Sequence, residues 1–232
     1  MVKKGRFKFA ASFLAALLLF INPWSLQNLS GETMEKEIKL PPPQLKGSLS
    51  VEEALSLRRS LRECLNEPLT LKEVGQILWS SQGVTAKWGG RTAPSAGATY
   101  PLETYLVAGR IESLAPGLYY YRPDSHSLLP VLKSDLRREL SAAALGQRIV
   151  QQAPAVVVLT AVYQRTAGRY GERAARYVHM EVGHASQNIY LQAEALGLAT
   201  VVIGAFRDSE VKKVLKIKEE PLYLMPVGRK KN

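Results

Sequence analysis

The order of apolar segments and helix signals is the feature that most limits what this chain can fold into. Two short runs rich in β-branched residues, APAVVVLTAVY (153–163) and ATVVIGAF (199–206), are typical of strands that are buried on both faces. Three further strands come earlier in the chain with no helix between them. Strands and helices therefore do not alternate strictly, which favours a layered α+β fold over a doubly wound parallel sheet.

Local signals mark the helix ends. SVEE at 50–53 is a capping box, with Ser50 as the N-cap and Glu53 at the third helical position, and TLKE at 70–73 repeats it. Gly197 suits the end of a long helix, and Asp208 suits the start of a short one. The predicted strands are 103–108, 118–121, 127–132, 153–163, 199–206 and 222–227. Five helices are predicted. The first begins at Ser50 and the second runs from Thr70 to about Gly83. The third and fourth span 135–146 and 176–196, and the fifth runs from Asp208 to about 215.

The first 27 residues form a separate segment. The basic stretch MVKKGRFK is followed by 13 uncharged residues, 9–21, and then by Pro23, as in a secretory signal peptide or an N-terminal membrane anchor. We therefore expect a chain that is exported or attached to a membrane through residues 9–21, facing outside the cytoplasm. Residues 28–49 are polar and then proline-rich, which predicts an extended linker. The folded domain is predicted at 50–232.

Charge and cysteine content exclude several classes of function. The formal net charge is +11, but much of it lies at the two ends of the chain, and we find no basic stripe interleaved with aromatic residues. We therefore expect no nucleic-acid partner. The single cysteine, Cys64, excludes a disulfide framework within the chain and a cysteine-rich metal site. His179 and His184 are five residues apart, which does not match the four-residue spacing of a metalloprotease helix, so we assign no metal site.

Two clusters carry chemistry of another kind. Arg58, Arg59, Ser60 and Arg62 lie together beside a helix end, and guanidinium and hydroxyl groups bind phosphate. A solvated basic turn is the alternative interpretation of that cluster alone. The stretch RTAPSAGATYP (91–101) is rich in small residues and leads directly into a strand, which suits a tight turn or the close approach of a flat ligand to the backbone. A phosphate at one end and a planar group at the other fit a flavin mononucleotide.

The sequence resembles the nitroreductase-like flavoproteins, and within them the SagB-type (thiazole/oxazole) dehydrogenase branch. The resemblance runs from IKLPPP at 38 to PVGR at 229. It includes SVEEALSLRRSLR, ILWSSQGVT, TAPSAGATYPLETYLV, RYGERAARYVHMEVGHASQNIYLQAEALGL, VIGAF and EEPLYLMPVG. Each motif is weak alone, but their order over about 190 residues is specific to the family.

The resemblance implies a nitroreductase-like layered fold, with a central, mostly antiparallel sheet flanked by helices. It also implies a homodimer, or a pseudo-dimer partner, with FMN at the subunit interface. The residues that it assigns to the phosphate are Arg58, Ser60 and Arg62, with Arg59 beside them and Arg229 or Lys230 joining from the end of the chain. Those that it assigns to the flavin ring or ribityl chain are Pro94, Ser95, Ala96 and Gly97 on one side and Gly204 and Ala205 on the other.

One position departs from the family pattern. Azoline-oxidising members carry a Lys-Tyr pair where this sequence has Arg169-Tyr170. An arginine stays protonated in proteins, which argues against a general base at 169, whereas Tyr170 can still donate a proton. We therefore expect an FMN-dependent oxidoreductase that acts on a small molecule or a peptide, with Tyr170 as the candidate catalytic residue and NAD(P)H as a candidate electron donor. The alternatives are an azoline dehydrogenase of modified-peptide biosynthesis and a non-catalytic module that binds flavin or a partner.

Overall fold

The computed structural model describes residues 36–231. The segment interpreted as a signal peptide or anchor, and the linker up to residue 35, lie outside the described residues and stay predictions from the sequence. Within 36–231, no helix is both long enough and apolar enough to cross a membrane.

A seven-stranded sheet forms the centre of the described domain, in the order β1-β4-β3-β2-β5-β7-β6. Every neighbouring pair in this sheet is antiparallel, which confirms the α+β prediction. The strands are β1 Ile38–Lys39, β2 Leu102–Ala108, β3 Gly117–Arg122, β4 Ser127–Leu132, β5 Ala155–Ala161, β6 Leu198–Thr200 and β7 Glu220–Arg229.

Strands β2 and β5 form the middle of the sheet, and all seven residues of each are buried. They pair in register along their whole length, so that Leu106 lies opposite Val157. Alternate side chains of β5 enter two separate apolar clusters, with Val157 and Leu159 on one face and Val156 and Val158 on the other. A strand covered on both faces has no polar side, which is why these segments are continuous apolar runs in the sequence.

Helices cover both faces of the sheet. They are α1 Val51–Leu57, α2 Leu71–Gln82, α3 Arg137–Ala143, α4 Arg148–Gln152, α5 Tyr163–Tyr170, α6 Ala174–Ala195 and α7 Asp208–Leu215. α2 and α6 bury Ile77, Val182 and Ile189 against one face of the sheet. α3, α4 and α7 bury their apolar side chains, such as Leu140 and Val211, against the other face.

Both predicted capping boxes are present. The Ser50 hydroxyl accepts a hydrogen bond from the Glu53 backbone N–H, and Thr70 does the same for Glu73, while each glutamate accepts one from the backbone N–H of its N-cap residue. Gly197 follows α6 with a φ of +66°, a conformation that glycine adopts without steric cost. Asp208 does not cap α7 as predicted. It is the first helical residue, and Arg207 occupies the N-cap position.

The domain begins earlier than the sequence suggested. Residues 28–49 were predicted to be linker, but Ile38 and Lys39 pair with Leu128 and Ser127 at the sheet edge, and Leu40 is buried.

Other elements also differ from the prediction. The predicted helix 135–146 is shorter than expected, because α3 ends before Leu145 and Gly146, which have positive φ, and the short helix α4 that follows was not predicted. The predicted strand 199–206 narrows to β6, and α5 was not predicted at all.

The capping box of α2 gives the first testable prediction. Thr70→Ala removes the side-chain acceptor of the Glu73 N–H at the start of a helix that packs on the core. We expect the free energy of unfolding to fall by about 1 kcal/mol, measured by urea denaturation. Ser50→Ala is the matched control. It breaks the same motif in α1, whose buried residue is Ala54, so that fraying stays local and the global loss is smaller. Equal losses in the two variants would contradict this interpretation.

Candidate functional site

The loop between α2 and β2 presents small residues to the surface. Residues 94–97, here called the PSAG loop, enter a single 3-10 turn at Ala96–Ala98. Three residues of this region have left-handed φ: Gly97 at +59°, Ala98 at +53° and Tyr100 at +42°. This conformation is strained for alanine and tyrosine, so the surroundings must hold the loop in place.

Contacts within the PSAG loop and in the residues beside it hold the loop in place. The Ser95 hydroxyl accepts a hydrogen bond from the Tyr100 backbone N–H at 2.9 Å, which closes the turn on itself. The Asn188 amide on α6 donates to the Thr92 carbonyl at 3.2 Å, and the Arg91 guanidinium lies 4.5 Å from the centre of the Tyr100 ring. The backbone at Pro94 and Gly97 stays exposed, as close approach by a flat ligand requires.

The candidate catalytic residue lies against this loop. A Cβ atom at Gly97 would lie 2.6 Å from the Tyr170 hydroxyl and 2.9 Å from Arg169 Cδ, so only glycine fits there. Arg169 Nη1 donates to the Gly97 carbonyl at 3.3 Å. The Tyr170 ring packs on Tyr177 of α6, with the ring centroids 4.8 Å apart. Both residues come from the end of α5, so the helix that the sequence analysis missed brings Tyr170 to the PSAG loop.

Two of the residues predicted to bind phosphate, Arg58 and Ser60, meet at Tyr190 of α6. The Arg58 guanidinium lies 5.1 Å from the centre of the Tyr190 ring, and the Ser60 hydroxyl is 2.9 Å from the Tyr190 hydroxyl. Among the described residues no carboxylate forms an ion pair with Arg58 or Arg62. We call Arg58, Ser60 and Tyr190 the Arg58 cluster. It combines a cation that no carboxylate within residues 36–231 neutralises with two hydroxyl groups, which suits a phosphate.

Two of the predicted phosphate ligands have other contacts. Arg59 donates to the carbonyls of Ser56 and Arg58, and so satisfies carbonyl groups at the end of α1. Arg229 binds the Glu73 carboxylate through two guanidinium nitrogens, at 2.5 and 3.1 Å. The structure therefore places the Arg229 side chain on α2 and not at the Arg58 cluster.

Of Arg229 and Lys230, Lys230 is the residue whose side chain lies on the side of the Arg58 cluster. Its ammonium group binds Glu194 at 2.7 Å, and Glu194 lies one helical turn beyond Tyr190 on α6. Alternate residues of a strand point to opposite faces, which explains why Arg229 and Lys230 separate. Lys230 therefore lies beside the Arg58 cluster, but in an ion pair.

Gly204 and Ala205 lie on the same side as the Arg58 cluster. The Val202 backbone N–H donates to the Tyr190 hydroxyl at 2.8 Å, and Gly204 follows only two residues later. Both small residues are exposed. A Cβ atom at Gly204 would come within 3.4 Å of the Tyr223 ring, which is tight but not forbidden. The sequence contained no signal for Tyr190, since a tyrosine in a long helix is ordinarily a packing residue.

Within one chain, the PSAG loop and the Arg58 cluster lie on different faces of α6. Asn188 binds Thr92, in the segment leading into the loop. Glu181 is seven residues before Asn188, so the two side chains share one face of α6. Tyr190 is nine residues beyond Glu181, about two and a half turns, and therefore points to the opposite side. The two halves of the predicted site are also separated by about 14 Å along the helix axis, at 1.5 Å per residue. A single chain does not bring them together around α6.

Glu181 is a buried acid to which the sequence analysis assigned no role. Its side chain is 2% exposed on the face of α6 towards the PSAG loop. Burial raises the pKa of Glu181 to about 7, against a smaller lowering by the Ser95 hydrogen bond and the Arg91 charge. The sequence did contain a signal for the burial of Glu181. This residue lies three residues after Val178 and four before Ala185, both of which are buried.

Comparisons with known proteins identify the family of this chain. Residues 55–229 match the model of the Nitroreductase family. The chain is 49% identical over 200 residues to "Putative nitroreductase MJ1384" of Methanocaldococcus jannaschii, covering 86% of this chain and 98% of that protein. It is 31% identical over 134 residues to the microcin B17-processing protein McbC of Escherichia coli, covering 55% of this chain and about half, 48%, of McbC.

A solved structure described as a nitroreductase, from Ralstonia eutropha, superimposes with a TM-score of 0.74 at 30% sequence identity. The match covers 86% of this chain and 92% of that one. Fold, motifs and relatives agree with the resemblance stated from the sequence, and the chain belongs to the nitroreductase family.

Proposed function

We propose that this protein is an FMN-dependent oxidoreductase whose two flavin sites are each built from two copies of the chain. The observation that supports the proposal most directly is the division of the site by α6. In one copy the Arg58 cluster and the PSAG loop point away from each other. Two copies related by a two-fold axis can place the cluster of one beside the loop of the other.

Exposed apolar surface supports a two-fold interface at α6. Met180, Gly183 and Gln187 form one stripe along the helix, and Met180 is 53% exposed. α1 packs on α6 and exposes Val51, Leu55 and Leu57, each to 50% or more. Large apolar side chains exposed on two helices that pack together are typical of a protein–protein interface. A second copy of this chain is the partner that also completes the flavin site.

The residues fit the two ends of FMN. Arg58 and Ser60 offer a charged fork and a hydroxyl for the phosphate, and Lys230 lies beside them. At the other end, the exposed backbone of Pro94 and Gly97 can approach a planar ring, since side chains on that surface are small or absent. Bound FMN would supply hydride transfer, which no side chain of this protein can perform.

Tyr170 is the residue that we propose for proton donation. Its hydroxyl lies at Gly97, on the loop proposed to contact the ring. Arg169 binds the Gly97 carbonyl, so its proposed role is to hold the loop and not to act as a base. The chain therefore contributes binding, loop geometry and one phenolic proton.

We propose the substrate class and the electron donor from the relatives. NAD(P)H is the proposed donor, and a small molecule or a peptide is the proposed substrate. Similarity to a microcin-processing protein favours peptide dehydrogenation as the second candidate, although Arg169 replaces the lysine of azoline-oxidising enzymes.

Visible spectra of the flavin-loaded protein under anaerobic conditions test turnover. Bleaching by NAD(P)H and recovery with a nitro compound support an enzyme, whereas a flavin that no donor bleaches indicates a binding module.

The assignment of the phosphate can be tested with two flavins. Arg58→Ala should weaken FMN binding about ten- to a hundred-fold, because one charge-assisted bond of about 1.5–3 kcal/mol is lost. Riboflavin lacks the phosphate, so its affinity should stay the same. Flavin fluorescence titration measures both constants.

Arg59→Ala is the matched control, since it removes a neighbouring guanidinium that binds the carbonyls at the end of α1. It should leave both affinities close to those of the unchanged protein. The assignment is wrong if Arg58→Ala weakens riboflavin as much as FMN, or if Arg59→Ala reproduces the selective loss of FMN.

Mixed dimers test whether each site uses two chains. Arg58→Ala damages only the cluster, and Gly97→Val damages only the loop, because a side chain there collides with Tyr170 and requires an unfavourable φ. In a mixed dimer one site then combines both defects and the other site has none. Co-expressed chains carrying different affinity tags should therefore yield a heterodimer that binds one FMN with normal affinity.

Each homodimer of the same variants should bind FMN weakly at both sites. If one chain forms a complete site by itself, each site of the heterodimer carries one defect, and normal affinity does not return. A heterodimer with no site of normal affinity would thus overturn the two-chain arrangement, while leaving FMN binding by the unchanged protein as a separate question.

A further inference from the structure

A polar pocket lies at one end of the sheet, where β2 and β7 end and β5 begins. Its volume is about 590 Å³. The residues that line it include three cations, Arg110, Arg148 and Lys231, together with Cys64, Asn66 and Gln151. We call it the Arg148 pocket. The PSAG loop leads into the other end of β2, and the seven residues of that strand span about 20 Å. The pocket is therefore separate from the loop proposed to contact the flavin ring.

The positive charges of the Arg148 pocket are only partly neutralised. Lys231 binds Glu63 at 2.8 Å, in an exposed ion pair. Within residues 36–231, no carboxylate lies within ion-pair distance of Arg110 or Arg148. In the same part of the chain, no acidic residue lines the pocket. The two guanidinium charges that remain favour an anion as the occupant.

Arg110 is held in place without an ionic partner. Its backbone N–H donates to the Pro154 carbonyl at 3.0 Å, and its Nη2 donates to the Gln152 carbonyl at 2.6 Å. Its Nε atom is buried and has no hydrogen-bond partner in the part of the chain that the structure describes. Burial and the charge of Arg137 both lower the pKa of Arg110, so the surroundings disfavour its positive charge. An anion in the pocket would offset both effects.

Separate segments of the chain give the pocket a fixed shape. The Leu65 backbone N–H donates to the Arg229 carbonyl at 2.9 Å, which fixes the segment that contains Cys64 against β7. A Cβ atom at Gly228 would lie 2.7 Å from Cys64 Sγ, so the thiol packs directly on the strand backbone. Arg148 begins α4, which buries two apolar side chains in the core. The walls are thus formed before a ligand arrives, as is usual for binding sites.

We propose that the Arg148 pocket binds a small molecule that carries phosphate, at a site separate from the proposed flavin site. The guanidinium groups of Arg110 and Arg148 match the oxygens of a phosphate, and Lys231 adds a point charge. The amides of Asn66 and Gln151 can donate further hydrogen bonds. Among the described residues no aromatic side chain lines the pocket, so a nucleotide base has no surface on which to stack. The phosphate group itself is therefore the feature that the pocket recognises.

Cys64 supplies a local readout, because it is the single cysteine of the chain and lines the pocket. A bound phosphate covers the thiol and disfavours the thiolate, so it should slow alkylation by the neutral reagent iodoacetamide. Pyrophosphate and glucose 6-phosphate are the probes, added to the full chain. We expect saturable protection with a half-maximal concentration of about 1 mM or lower, as several charge-assisted bonds provide. The more effective compound distinguishes an inorganic polyphosphate from a phosphate ester as the ligand.

Two variants of matched charge test the lining. Arg148→Gln should raise the half-maximal concentration about ten-fold, because one charge-assisted bond is lost. Arg138→Gln removes the same charge from an exposed position of α3 outside the pocket, and it should leave the concentration unchanged. Arg58→Ala should also leave it unchanged, since the Arg58 cluster belongs to the proposed flavin site. Lys231→Gln replaces Arg148→Gln if that variant does not fold, and calorimetry with pyrophosphate replaces alkylation if Cys64 reacts too slowly.

Four results would overturn the proposal. Neither phosphate compound protects Cys64 or binds by calorimetry, or sodium chloride at the same ionic strength protects the thiol equally well. Arg148→Gln leaves the protection as it is, or Arg58→Ala abolishes it, which would assign the bound phosphate to the flavin site. None of these results depends on whether the protein binds FMN, so the proposal is tested apart from the proposed function.

Discussion

The packing of α6 against the sheet is the constraint on which the rest of the structure depends. Val178, Val182 and Ile189 are buried in the same apolar cluster as alternate residues of the central strands. A helix of 22 residues, about 33 Å long, is thereby fixed in both position and rotation. Once its rotation is fixed, the face with Asn188 must meet the PSAG loop and the face with Tyr190 must meet the Arg58 cluster.

Glu73 shows how one side chain can serve local and long-range structure together. It completes the capping box of α2 with Thr70, and it also binds the Arg229 guanidinium through both carboxylate oxygens. The pair is partly buried, so solvent screens it less than a surface ion pair. Because Arg229 ties the last strand to α2 in this way, its charge is not available to the cluster at Tyr190.

Much of the fold could be predicted because the signals were local. Capping boxes at Ser50 and Thr70 and continuous apolar runs in the central strands need no tertiary information. The missed features depend on context. α5 begins without a side-chain cap and contains glycine, so its sequence favours no helix until it packs on α6. At the site, the sequence located the PSAG loop and Arg58, but Tyr190 and the ion pair of Arg229 arise from contacts between segments far apart in the chain.

The division of the proposed site by α6 has a physical consequence for how such a protein excludes water. A planar ring bound between two chains is covered on both sides by backbone that is already ordered, so closure needs no mobile lid. On the two-chain proposal, the strain at Ala98 and Tyr100 has a reason, since it shapes a turn whose exposed backbone a second chain can bring against the ring.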